Sequence, residues 1–281
     1  MTLTPSRTPY AGAPRIVFTS NREKPDKAGL YIFDPETGDV TPMDVRIANA
    51  ILPRWSPDGN SVLFAVPEVW NLYSVLADGS QLTRITDFRS NNADWSPDGT
   101  RIVFQSDHQN EPEDTPDIYI LDLVSGEVTE ILDDPPSVDF NPRWSPDGSR
   151  ILFISNRNGS FDIYTMSVDG TDIVQVTDSK EQERSADWSP DGSRIVFSYS
   201  PGGPVANIYI INADGDVNSV VRLTDGNASD NYPTWSPDGQ QVVFSSNRSG
   251  NWDLWVINAD GSGLTQLTDD AFYDGYPHWG P

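Results

Sequence analysis

The chain has 281 residues and a formal net charge of −24, with 42 acidic side chains against 18 basic ones. So acidic a balance repels nucleic acid and anionic membrane surfaces, which excludes both as expected partners. Cysteine is absent, so disulfides, thiolate chemistry and Cys-ligated zinc are excluded while the redox compartment stays open.

Met1 to Ala13 come first in chain order; they are polar and proline-containing and lack the apolar centre of a signal sequence. We read residues 1–13 as a polar extension and 14–281 as a single domain. Such a chain is cytoplasmic, or has lost a leader, and no stretch is long enough for a transmembrane helix. Ile16-Val17-Phe18 and Leu30-Tyr31 follow, with a turn at Thr37-Gly38. They read as strands of a unit that lacks its first strand.

From residue 55 onward the chain repeats itself. Trp-Ser-Pro-Asp-Gly begins at Trp55, Trp95, Trp144, Trp188 and Trp235, and a broken copy begins at Trp279. Successive tryptophans are 40, 49, 44, 47 and 44 residues apart, a period that suits a four-stranded propeller blade. The motif ends one strand with a large core residue and turns the chain with Pro and Asp-Gly. Each copy is followed by an apolar triplet, from Val62-Leu63-Phe64 to Val242-Val243-Phe244. Next come a loop, a strand such as Ile163-Tyr164, a Gly turn such as Asp169-Gly170, and a fourth strand such as Leu264 to Thr268. Continuous apolar triplets imply sheets buried on both faces. Gly275 to Trp279 is a first strand without a blade, and it completes the unit at the N-terminus. The expected fold is all-β: a six-bladed propeller of four-stranded antiparallel blades, closed by strands from both termini.

The pattern Pro-x-Trp-Ser-Pro-Asp-Gly, apolar-Val-Phe-x-Ser-x-Arg-x-Gly, Asp-Ile-Tyr, Asp-Gly and Leu-Thr-Asp resembles the WD40-like (PD40) repeat of the TolB propeller family. Its fullest copies run from Pro142 to Asp178 and from Pro233 to Asp269, and the likeness covers residues 14 to 281. The resemblance implies a periplasmic or extracellular propeller that binds proteins, among them the peptidoglycan-associated lipoprotein and colicins. Similar repeats form the N-terminal propellers of prolyl-oligopeptidase-like and tricorn-type proteases. The TolB family also carries an N-terminal α/β domain, for which the residues before the propeller leave no room here. The peptidases likewise need a hydrolase domain that this length does not accommodate.

Motifs for chemistry are sparse. No Gly-x-Ser-x-Gly elbow or phosphate-binding Gly loop occurs, and His108 and His278 are the only histidines. His108 reads as a loop residue, whereas His278 precedes the last Trp in the strand nearest the axis. Asn21-Arg22, Asn156-Arg157 and Asn247-Arg248 share one loop position. They face a ligand, or they pair with a nearby aspartate such as Asp162 or Asp253. Trp70 and Trp252 lie outside the repeat position and read as packed under loops or as exposed aromatics.

The residues before the tryptophans are His278, Arg54, Asp94, Arg143, Asp187 and Thr234. We expect them at one height around the axis, with Arg54, Asp94, Arg143 and Asp187 paired between neighbouring blades. Four positions earlier stand Asp139, Glu183, Asp230 and Asp274, expected on one loop face together with Arg157, Arg248 and the variable loops 107–116 and 200–204. An acidic mouth of this kind attracts a basic peptide or holds calcium, with Asp139, Asp230 and Asp274 as ligands. No other cofactor is expected. The function expected is a monomeric, non-catalytic module that docks a protein or basic peptide on this face. The alternative is a glycan hydrolase or lyase, which needs two carboxylates in a concave pocket, one with a displaced pKa.

Overall fold

The computed structural model describes residues 12–24, 26–107, 116–133 and 136–281. His108 and most of the 107–116 loop lie outside the described residues. Strands begin where the apolar triplets were expected, and they form six four-stranded antiparallel sheets. Blade two comprises Ile51–Trp55, Ser61–Val66, Asn71–Leu76 and Thr83–Arg84, taken from the axis outward. Blade three comprises Asn91–Trp95, Arg101–Ser106, Asp117–Asp122 and Val128–Leu132. Blade four is Asp139–Trp144, Arg150–Ser155, Asp162–Ser167 and Val174–Gln175. Blade five is Gln182–Trp188, Arg194–Ser200, Asn207–Asn212 and Val221–Arg222. Blade six is Asp230–Trp235, Gln241–Ser246, Asp253–Asn258 and Thr265–Gln266.

Blade one joins the two ends of the chain. Its inner strand is Asp274–Trp279, which pairs antiparallel with Ile16–Lys24, while Lys27–Phe33 and Val40–Pro42 complete the sheet. The termini therefore close the ring, as expected.

The core lies between blades rather than within them. Val17 and Leu30 of blade one cluster with Trp55, Val62 and Phe64 of blade two, and Ile16 and Phe18 cluster with Val243 and Leu254 of blade six. Ile151, Leu152, Phe153 and Ile154 are all fully buried because successive side chains point to opposite faces and both faces are covered. Each such side chain contributes about 1.5–3 kcal/mol of transfer free energy. Arg15, Arg101 and Arg194 lie over the Trp of the next blade, with guanidinium carbons 5.2, 4.7 and 4.6 Å from the ring centres of Trp55, Trp144 and Trp235.

The repeated turn is held by its own side chains. In blade five, Ser189 donates to Asp191 at 2.6 Å and accepts from the Arg194 amide, while Asp191 accepts from the Ser193 amide. These bonds hold the Asp191 carboxyl down at about 2. Gly192 sits at φ +70, which explains why every turn ends in glycine. The outer strands are shorter than the sequence pattern suggested: Leu264 to Thr268 supplies only Thr265–Gln266. Among the described residues no helix is long and apolar enough to cross a membrane.

Candidate functional site

The loops entering the inner strands and the loops joining second and third strands emerge on one face, because each inner strand is antiparallel to its second strand. That topology brings the Asn-Arg loops onto the first residues of the inner strands. Arg157 donates to Asp139 at 3.1 Å, Arg248 to Asp230 at 2.6 Å, and Arg22 to Asp274 at 2.8 Å. The same three guanidiniums donate through Nε to Ser155, Ser246 and Ser20. Each also lies over two rings: Phe153 and Tyr164, Phe244 and Trp255, or Phe18 and Tyr31.

The Asn-Arg motif is thus one structural device used three times. Asp139, Asp230 and Asp274 are 0% exposed, so they are not displayed to a partner; they are buried against arginine. Asp162 and Asp253, the partners suggested by proximity in sequence, bond elsewhere. Asp162 accepts from the Ser179 amide at 2.8 Å and Ser160 Oγ at 3.0 Å, and Asp253 accepts from Ser249 and Gln266. The three buried carboxylates lie in three different blades, each against its own cation. Among the described residues no group of three acidic or histidine side chains is placed to hold a metal ion. Asp139, Asp230 and Asp274, the residues expected as calcium ligands, each face their own arginine.

Blade five departs from this device. Glu183 replaces the aspartate, Tyr199 replaces the serine opposite it, and Pro201 replaces the arginine. The Tyr199 ring packs edge-on against Tyr209, 5.6 Å between centres, where blades one and four place a guanidinium over a tyrosine and blade six places one over a tryptophan. Glu183 is 2% exposed and accepts from Ser179 Oγ at 3.3 Å. Burial, reinforced by the neighbouring Asp162 carboxylate, pushes Glu183 up to about 8. This is a carboxyl pair with one displaced acid, but both members are enclosed. A general acid must reach the group it protonates.

Near the axis, the six residues before the tryptophans form the expected ring, but its pairing differs. Arg54 of blade two meets Asp187 of blade five, which is opposite and not adjacent, with an N–O distance of 3.6 Å. Asp94 instead accepts from the Trp144 amide at 3.0 Å, and His278 Nδ1 accepts from the Trp55 amide at 2.9 Å. Each of these side chains ties its inner strand to the next one. Arg143 donates to Asn141 Oδ1 and to the Pro142 carbonyl. Burial and the nearby Arg54 charge pull Arg143 down to about 9, against the attraction of Asp94 and Asp187. Burial and the same two arginines hold His278 well below its ordinary value, which keeps it neutral and able to accept.

Above this ring the inner strands bulge. Leu52, Asn92, Asn141, Tyr232 and Tyr276, each three residues before a Trp, adopt φ between 49 and 59. Register shifts accompany them. The bulges turn these side chains toward the axis, where the Tyr232 and Tyr276 rings meet at a tilt of 54° with centres 4.3 Å apart and Tyr273 beside them. All six blades line a cavity of about 20 Å³, among them through Arg54, Asn92, Arg143, Ser185, Tyr232 and Tyr276. That space suits a single water, so the axis is plugged below a mouth of aromatic and amide groups. The tyrosines were not singled out from sequence; left-handed φ at a non-glycine residue leaves no compositional mark.

A family model described as the TolB beta propeller domain (PD40) matches residues 110–201 and 180–281. The solved structure of TolB from Acinetobacter baumannii superposes with a TM-score of 0.81 at 23% identity, covering 95% of this chain and 67% of that one. An oligogalacturonate lyase from Vibrio parahaemolyticus superposes with a TM-score of 0.60 at 15% identity, covering 91% of this chain and 74% of that one. An uncharacterized peptidase, YuxL, of Bacillus subtilis is 29% identical over 89 residues, which are 30% of this chain but only 14% of the relative's length. These likenesses concern the propeller, since at such identities solved structures share fold alone.

Proposed function

This chain belongs to the PD40 TolB beta-propeller family, and from that premise we propose that it is a protein-binding module whose partner docks at the axial mouth of the loop face. The observation that carries this reading is the aromatic cluster of Tyr232, Tyr273 and Tyr276 over a plugged axis. Tyrosines on a rigid scaffold supply contact area at small entropic cost and dominate many protein interfaces. With the aspartates buried, the acidic character of the protein acts at long range. A net charge of −24 steers a basic segment toward the mouth and speeds association without supplying each contact. A periplasmic location is proposed from the family resemblance alone.

The test is affinity capture from the native host, comparing the intact protein with a Tyr232→Ser/Tyr276→Ser double variant of unchanged melting temperature. A protein retained by the first and lost by the second is the expected result. Equal retention by both removes the mouth from consideration. The enzyme alternative has one observation in its favour, the Asp162 and Glu183 carboxyl pair with its displaced acid. Cleavage of an acidic polysaccharide that Glu183→Gln abolishes is the result that favours it over the binding reading.

A further inference from the structure

Between blades four and five the loop face carries a concave pocket of about 370 Å³. Its lining includes Asn156, Ser160, Phe161, Lys180, Arg184 and Ser200. Arg22, Arg157 and Arg248 are consumed by buried aspartates, and Arg89 pairs with Asp107. Lys180 and Arg184 are exposed, and among the described residues neither is held in an ion pair. Lys180 is one of only three lysines in the chain. Two cations outside any ion pair, against one acid at the same concavity, are a local reversal of the −24 field.

A second, independent observation points to the same pocket. Ser200 is 3% exposed, yet its Oγ has no hydrogen-bond partner. In blades one, four and six the corresponding residue is an asparagine, which accepts from the amide of Tyr273, Val138 or Ser229. Serine is too short for that bond, and the Pro201-Gly202-Gly203-Pro204 loop replaces the arginine turn. The corner that asparagine closes elsewhere is spanned here by the Gln182–Ser200 pair of the strand ladder, which leaves the buried Ser200 hydroxyl at the back of the pocket without a partner.

The remaining walls define the ligand. Phe161 is held edge-on to Phe140 at 5.3 Å and offers an apolar wall. Asn156, Ser160, Gln182 and Ser200 supply neutral donors and acceptors. Glu181 also lines the pocket and lies near Gly202, a single acid against two bases. Glu183, next to Arg184 in the chain, is buried, and that burial pushes its carboxyl up toward the uncharged form. Cations, several neutral hydrogen-bonding groups and one aromatic wall suit a hydroxylated ring bearing a carboxylate.

We propose that this pocket binds a small acidic sugar, with the carboxylate at Arg184 and Lys180, a ring hydroxyl at Ser200 Oγ, and the ring face along Phe161. The proposal does not rest on the protein-binding reading. Calorimetric titration with glucuronate and galacturonate tests it, with glucose, galactose and acetate run at matched ionic strength. The acidic sugars are expected to bind more tightly than both neutral sugars and acetate. Arg184→Gln should weaken that binding about ten-fold, Ser200→Ala about three-fold, and Arg46→Gln, between blades one and two, not at all. Melting curves of each variant confirm that the fold is kept. Equal binding of neutral sugars, equal binding of acetate, no measurable binding of any ligand, or indifference to Arg184→Gln in a folded variant overturns the proposal.

Discussion

Arg54 and Asp187 meet across the propeller axis from opposite blades, 3.6 Å apart. A bond between opposite blades links the two halves of the ring across the axis, in addition to the contacts that neighbouring blades make around it. Replacing Asp187 with Asn leaves Arg54 and Arg143 facing each other with less compensation. We expect a loss of about 2–4 kcal/mol, measured by urea unfolding. The double variant Arg54→Met/Asp187→Leu should recover at least half of it. Full additivity of the two single changes would mean that the residues do not interact.

Arg157 and Asp139 test the repeated arginine device. Arg157→Ala leaves a fully buried carboxylate without its cation, with an expected cost of about 3–5 kcal/mol. Arg157→Lys keeps the charge but loses the fork to Ser155 and the stacking on Phe153 and Tyr164, so it should recover only part. Asp139→Asn in the Arg157→Ala background should raise stability above that of Arg157→Ala alone. A loss below about 0.5 kcal/mol for Arg157→Ala would place the pair among surface ion pairs.

Glu183 makes stability depend on pH. Folding raises its pKa from 4.5 to about 8, so the folded chain keeps a proton that the unfolded chain releases. Stability from this group is therefore lost as pH rises from about 4.5 through 8. Glu183→Gln stays neutral and should melt a few degrees above the parent at pH 9, corresponding to roughly 1–3 kcal/mol. At pH 4 the two should agree. A difference that does not change between these pH values is incompatible with a proton held at Glu183.

Ring closure predicts the effect of a short deletion. Removing residues 276–281 takes away most of the inner strand of blade one, the His278 acceptor of the Trp55 amide and the side chain of Trp279. The apolar transfer term alone is roughly 2–3 kcal/mol, and the exposed edge of Ile16–Lys24 invites association. A lowered melting temperature and concentration-dependent sedimentation are expected. An unchanged monomer would mean that the ring does not depend on its C-terminal strand.

The blade count, the order of the strands within a blade and the joining of the termini were legible in the residues. They follow from local rules repeated at a fixed period: a Trp-Ser-Pro-Asp-Gly turn closed by its own serine and aspartate, an apolar triplet, and a second turn. Repetition made each weak local signal count five or six times. The charged groups behaved otherwise. Asp162 stands five residues from Arg157 in the chain, yet the arginine reaches Asp139, and Arg22 near one end of the chain finds Asp274 near the other. The same acidic positions that read as an open mouth proved to be enclosed, three of them against an arginine and Glu183 of blade five without one. Local chemistry sets which strand a residue joins, because turns and pleats involve neighbours in sequence. Only the closed ring sets which charge it meets and how much water it keeps, because both depend on distances between blades.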